Sequence, residues 1–102
     1  MAVRTKQDAA RVLSDITGDN RFWSHDGCII GNLHQLADCL THINDDSFGY
    51  HVTPQNNDFS NWVHDVLDDD KLARDITRAT NHLEAAEIVR SRIAWLQEKL
   101  KK

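Results

Sequence analysis

Asp58-Phe59-Ser60-Asn61-Trp62-Val63-His64-Asp65-Val66-Leu67 is the stretch of the chain whose reading decides the fold. Phe59, Trp62, Val63, Val66 and Leu67 recur at spacings of three and four, which sets them side by side on one face of a helix. Asp58 offers an oxygen to the unpaired N–H groups of a first helical turn and is the predicted N-cap. Trp62 lies mid-stripe and is expected in the core.

Towards the C-terminus, Asp69 or Asp70 is the predicted cap of a shorter helix with Leu72, Ala73 and Ile76 inward. Asn81 with Glu84 three residues on is a capping signature for a last helix that reaches about Lys99. Within it Ala86, Val89, Ile93, Leu96 and Leu100 form a heptad seam, with Ala85, Ile88 and Trp95 on an adjoining stripe. Two readings stay open here. Both stripes wrap the domain's own core, or one of them is left for a partner or a second copy.

Towards the N-terminus, Pro54 and Gln55-Asn56-Asn57 mark a loop, and Phe48 to Val52 is too short to decide between a helical turn and a strand. Asn32 with Gln35 opens a predicted helix over about 33–43, with Leu33, Leu36, Ala37, Leu40 and Ile43 on one face. Phe22, Trp23, Cys28, Ile29 and Ile30 surround the turn dipeptide Asp26-Gly27, the pattern of a short hairpin near residues 22–30. Thr5 with Asp8 resembles a capping box for a first helix over about 6–17, stopped by Gly18. The expected fold is mainly α, with four to five helices in one domain over residues 1–102.

Of 102 residues, 40% are apolar even before glycine is counted and 27% are charged, a balance that suits a globular domain with a real core. The net charge of -4, with acidic clusters at Asp45-Asp46 and Asp68-Asp69-Asp70, repels phosphate backbones and argues against a nucleic-acid partner. Lys99, Lys101 and Lys102 complement a C-terminal helix dipole. No apolar run approaches the roughly 20 residues of a membrane span. No apolar signal region follows Arg4, so a cytoplasmic location is expected. Cys28 and Cys39 then read as free thiols.

Ser24, His25 and Asp26 spell the residue types of a hydrolase triad, but sequence neighbours diverge and cannot relay a proton through one another. Asn56, Asp58 and Ser60 begin like a calcium loop, yet Asn61 stands where Gly is needed and Leu67 where Glu is needed. The sharpest chemical pattern is His25-x2-Cys28 and Cys39-x2-His42, two close pairs of zinc-type ligands. The other histidines, His34, His51, His64 and His82, are scattered.

Asn57-Asp58-Phe59-Ser60, Trp62-Val63, Asp65-Val66-Leu67, Asp69 and Leu72-Ala73, with Asn32-Leu33, Leu36-Ala37, Leu40, Phe48, His51 and Val52 upstream, resemble a family of small, chiefly archaeal domains of unknown function. The likeness spans about residues 22–76 and implies no activity. Asp68 stands where that family often has Gly, which speaks against a left-handed turn at this point.

No motif commits the chain to a reaction, a catalytic residue or a cofactor. The sequence is read as a non-enzymatic protein-interaction module that self-associates through its C-terminal helix, with Ala86, Val89, Ile93, Trp95, Leu96 and Leu100 as candidate interface. Its partner would be another protein or a second copy, not nucleic acid or a membrane. The alternative is a small zinc-binding or metal-dependent catalytic protein using His25, Cys28, Cys39 and His42.

Overall fold

Side-chain caps set the helix starts in the computed structural model, which describes residues 2–101. Thr5 Oγ1 accepts from the Asp8 N–H while the Asp8 carboxylate accepts from the Thr5 N–H, a reciprocal box that opens α1 (Lys6–Leu13). Asn32, Asn44 and Asn57 each accept from the N–H three residues on, at 2.8, 2.8 and 3.0 Å. They open α2 (Leu33–His42), α3 (Asp45–His51) and α4 (Asp58–Trp62). Asp69 caps α5 (Asp70–Ile76), and Asn81 Oδ1 accepts from Glu84 at the start of α6 (His82–Lys101).

Four local features differ from the sequence reading. α1 stops at Leu13, because Ser14 turns extended and the Ile16 N–H pairs with the Gly31 carbonyl at 2.6 Å instead of continuing the helix. Gly31 permits this approach, since a Cβ there would lie 2.8 Å from the Ile16 carbonyl oxygen. The undecided Phe48 to Val52 segment falls largely within α3. Asn57, not Asp58, caps α4, because the Asp58 carboxylate is turned towards His51 and Asn56.

The fourth difference follows α4. Residues Val63–Leu67 widen into a π-turn closed by the Asp68 N–H on the Val63 carbonyl, and Asp68 takes the left-handed conformation with φ 60°. The left-handed turn is present without glycine, as aspartate tolerates that region better than most side chains. The extra residue in the turn leaves Val66 half-buried while Phe59, Trp62, Val63 and Leu67 are buried.

β1 (Phe22–Trp23) and β2 (Ile29–Ile30) form a short antiparallel hairpin joined by the turn that carries Gly27 at φ 99°. α6 packs chiefly across α2, and also against α1 and α5. Ile30, Leu33, Leu36, Leu40, Phe59, Leu72, Ile76 and Leu96 are among the fully buried side chains of the core. The radius of gyration, 12.8 Å, is that of a folded chain of this length. No helix among the described residues is long and apolar enough to cross a membrane.

The caps give the fold an acid sensitivity with a defined sign. The backbone N–H groups of Arg4 and Thr5 hold the Asp8 carboxyl below its ordinary value, and the Thr80 N–H and hydroxyl do the same for Glu84. A depressed folded pKa means that the cap contribution is complete above the unfolded carboxylate values and is lost as pH falls through the folded ones. Denaturation midpoints should therefore fall between about pH 5 and about pH 3, and fall less in Asp8→Asn. An unchanged pH dependence in that variant would show that the cap is not titrating. Both carboxylates are exposed, so the effect is modest.

Candidate functional site

The candidate interface on α6 has six residues, five from the heptad seam and Trp95 from the adjoining stripe, and the structure divides them. Ala86, Val89, Ile93 and Leu96 are buried in the chain's own core, whereas Trp95 and Leu100 keep 45% and 38% of their surface. α1 and α2 pack against α6, and all of the seam except Leu100 is buried in the chain's own core. Leu83 and Leu100 near the two ends of α6 are exposed as well, and in between the apolar surface is the adjoining stripe that Ile88 and Trp95 share.

That stripe borders a cleft of about 470 Å³ between α5 and α6, with Lys71, Asp75 and Arg78 facing Ile88, Arg92 and Trp95. Arg92 is buried and makes two hydrogen bonds to Asp69, Nε to Oδ2 at 2.8 Å and Nη2 to Oδ1 at 3.0 Å. Asp69 meanwhile caps α5, so one carboxylate joins the start of α5 to the middle of α6. The Arg92 guanidinium lies 4.4 Å from the centre of the Trp95 ring, and Lys99 Nζ lies 5.3 Å from it. Lys71 and Arg78 share the single carboxylate of Asp75, at 2.7 and 3.4 Å. Glu87 also lines the cleft, so its rim sets Lys71 and Arg78 against Asp75 and Glu87 around the aromatic face of Trp95.

The zinc-type quartet is not assembled. His42 is exposed and its Nδ1 pairs with the Asp38 carbonyl oxygen one turn back, while the His25 ring stacks on Tyr50 and faces Ser47. Cys28 and Cys39 do converge, and the third group is Asp26: the ligand atoms of these three residues all lie within 4.8 Å of one another. The hairpin turn positions two of them, with the Ser24 N–H on the Cys28 carbonyl at 2.9 Å and the Gly27 N–H on the Ser24 carbonyl at 3.0 Å. α2 supplies Cys39 from below.

Ser24 Oγ donates to Asp26 Oδ1, which holds that carboxyl below its ordinary value, and Cys28 Sγ lies 3.9 Å from Asp26 Oδ2. Burial, then the Cys28 thiol and the Asp26 charge, push the Cys39 thiol up to about 12. Cys39 is therefore a thiol at neutral pH in the absence of a cation and no nucleophile.

Ser24 and Asp26 bond to each other directly while His25 points away, so these neighbours form no triad. His51 is buried, with Nδ1 at 3.0 Å from Asp58 Oδ2 and Nε2 accepting the His25 N–H at 2.9 Å. The second bond fixes the tautomer, since Nε2 must be unprotonated to accept. An imidazole held this way has no nitrogen left to take a substrate proton. It braces the hairpin turn against α3 and α4, with its ring edge-on to Phe22 and Phe59.

Two residues of these candidate sites escape a reading by periodicity. Arg92 sits between Val89 and Leu96 on the inward stripe, and a cation there signals a buried carboxylate elsewhere, which the Asp68 to Asp70 run supplies. Asp26 reads from the sequence as part of a turn dipeptide and of an excluded local triad, and neither pattern marks it as a neighbour of Cys39. Compared with known proteins, the chain matches no family model, no curated protein and no solved structure.

Proposed function

We propose that the chain is a non-enzymatic protein-interaction module whose docking face is the α5/α6 cleft beside Ile88 and Trp95. The carrying observation is Trp95, an exposed indole placed against Arg92, which Asp69 fixes from behind. A preorganised Trp and Arg pair is the chemistry that dominates protein interfaces, because a rigid aromatic surface is covered at little entropic cost. A second copy is the first occupant to test. It would use Trp95 with Ile88, since Ala86, Val89, Ile93 and Leu96 are already covered.

The resemblance of residues 22–76 to small archaeal domains fits a structural reading of their signature, because Phe59, Trp62 and Leu67 are buried and Asp69 is a cap. A cytoplasmic setting and a protein partner, not nucleic acid, belong to this proposal, and the net charge of -4 supports the choice of partner.

Sedimentation of the wild type and of Trp95→Glu over a wide concentration range tests the proposal. A wild type that dimerises, and a folded monomeric Trp95→Glu, is the expected result. If the wild type stays monomeric, self-association is overturned. If Trp95→Glu dimerises as the wild type does, the docking face lies elsewhere.

A further inference from the structure

We propose that Asp26, Cys28 and Cys39 form a three-ligand site for a zinc-class divalent cation, with the fourth position open to the cavity beside α2. Ligand atoms around tetrahedral zinc lie about 3.3–3.8 Å apart, from bond lengths of about 2.3 Å to sulfur and about 2.0–2.2 Å to oxygen. Here all three lie within 4.8 Å of one another, and the Cys28 to Asp26 pair is already at 3.9 Å. Closure needs a movement of about 1 Å or less, available to Cys28 because it sits on a partly exposed turn.

Three further observations make this a built site. Ser24 is buried and its hydroxyl binds Asp26 Oδ1, which leaves Oδ2 for the cation, the outer-shell arrangement that orients a ligating carboxylate. Cys39 stands on α2 and the other two groups on a hairpin turn closed by backbone hydrogen bonds, so each side is held independently. Access exists as well: a cavity of about 340 Å³ reaches both cysteines, and His34, Gln35 and Asp38 line its other side.

The donor set selects the metal. Two thiolates reject calcium and magnesium, while one carboxylate makes the set less soft than copper(I) prefers, so zinc suits it best. Binding Zn²⁺ exchanges two thiol protons for two metal–sulfur bonds, and the protons leave to the buffer. The site differs from the quartet suggested by sequence spacing, since His25 and His42 have no part in it.

The test is titration of the untagged, reduced and metal-stripped full chain with Co²⁺ under anaerobic conditions, followed by Zn²⁺. The expected result is a thiolate-to-cobalt charge-transfer band that saturates at one equivalent and disappears when zinc is added. Cys28→Ser, on the turn and not in the core, should lose the band while its circular dichroism is unchanged. Ser24→Ala should weaken binding about 10–100-fold. His25→Ala and His42→Ala should bind as the wild type does. Absence of the band in the wild type, its survival in folded Cys28→Ser, or its loss in folded His25→Ala or His42→Ala would overturn the assignment.

Discussion

Arg92→Leu is expected to lower the free energy of unfolding by about 3–5 kcal/mol, because it strands the Asp69 carboxylate in the interior. Asp69 and Arg92 keep only 1% and 8% of their side-chain surface, so water cannot replace the lost partner. The sign follows from desolvation: a buried pair is not strongly favourable in itself, but a single buried charge is expensive. Asp69→Asn combined with Arg92→Leu should recover a large part of the loss, since asparagine still caps α5 and no unpaired charge remains. Urea denaturation of the wild type, both single variants and the double variant measures this coupling. A loss below about 1 kcal/mol for Arg92→Leu would show a pair that solvent screens.

The same substitution bears on the docking face. Arg92 holds its guanidinium against the Trp95 ring, so a folded Arg92→Leu chain keeps the apolar surface but loses the cation that positions the indole. If preorganisation matters, self-association weakens in this variant although Trp95 is intact.

The helices were legible because their starts are written in local hydrogen-bonding residues. Thr5, Asn32 and Asn81 announce caps from the sequence alone, Asp69 is one of two adjacent aspartates that offer one, and the three-four spacing of Leu33, Leu36 and Leu40 gives the buried face of α2. What periodicity cannot show is where a backbone leaves a helix for a distant partner. α1 ends at Leu13 because of a bond from Ile16 to Gly31, and neither residue signals the other. The hairpin was legible from Asp26-Gly27, but its cargo was not. Pairing ligands by sequence spacing grouped Cys39 with His42, whereas on a helix residues three apart share a face only roughly, and His42 turns to solvent while Cys39 turns inward. The heptad seam of α6 was correctly spaced for burial, but spacing does not say whether the cover comes from the same chain. α2 is the cover for most of it, and only the overall arrangement of helices decides that.

Trp62→Ala is expected to cost about 3–5 kcal/mol, the other large effect in this fold. The indole keeps 7% of its surface, and its Nε1–H donates to the Asn20 carbonyl at 2.8 Å while Phe22 meets it edge-on. It therefore ties three segments together: α4, the turn at Gly18–Asn20 and β1. Truncation opens a cavity under the hairpin and also frees a carbonyl acceptor, two losses that act in the same direction. Trp62→Phe keeps most of the packing and drops the hydrogen bond, so it should cost less than the alanine variant. Circular dichroism is the suitable readout, because fluorescence would change with the indole itself. The consequence for the thiol cluster separates this role from a local one. In Trp62→Phe the hairpin loses its anchor at Asn20 but keeps Asp26, Cys28 and Cys39, so cobalt affinity should drop without loss of the charge-transfer band. An alanine variant as stable as the wild type would show that the indole lies on the surface and that the hairpin does not depend on it.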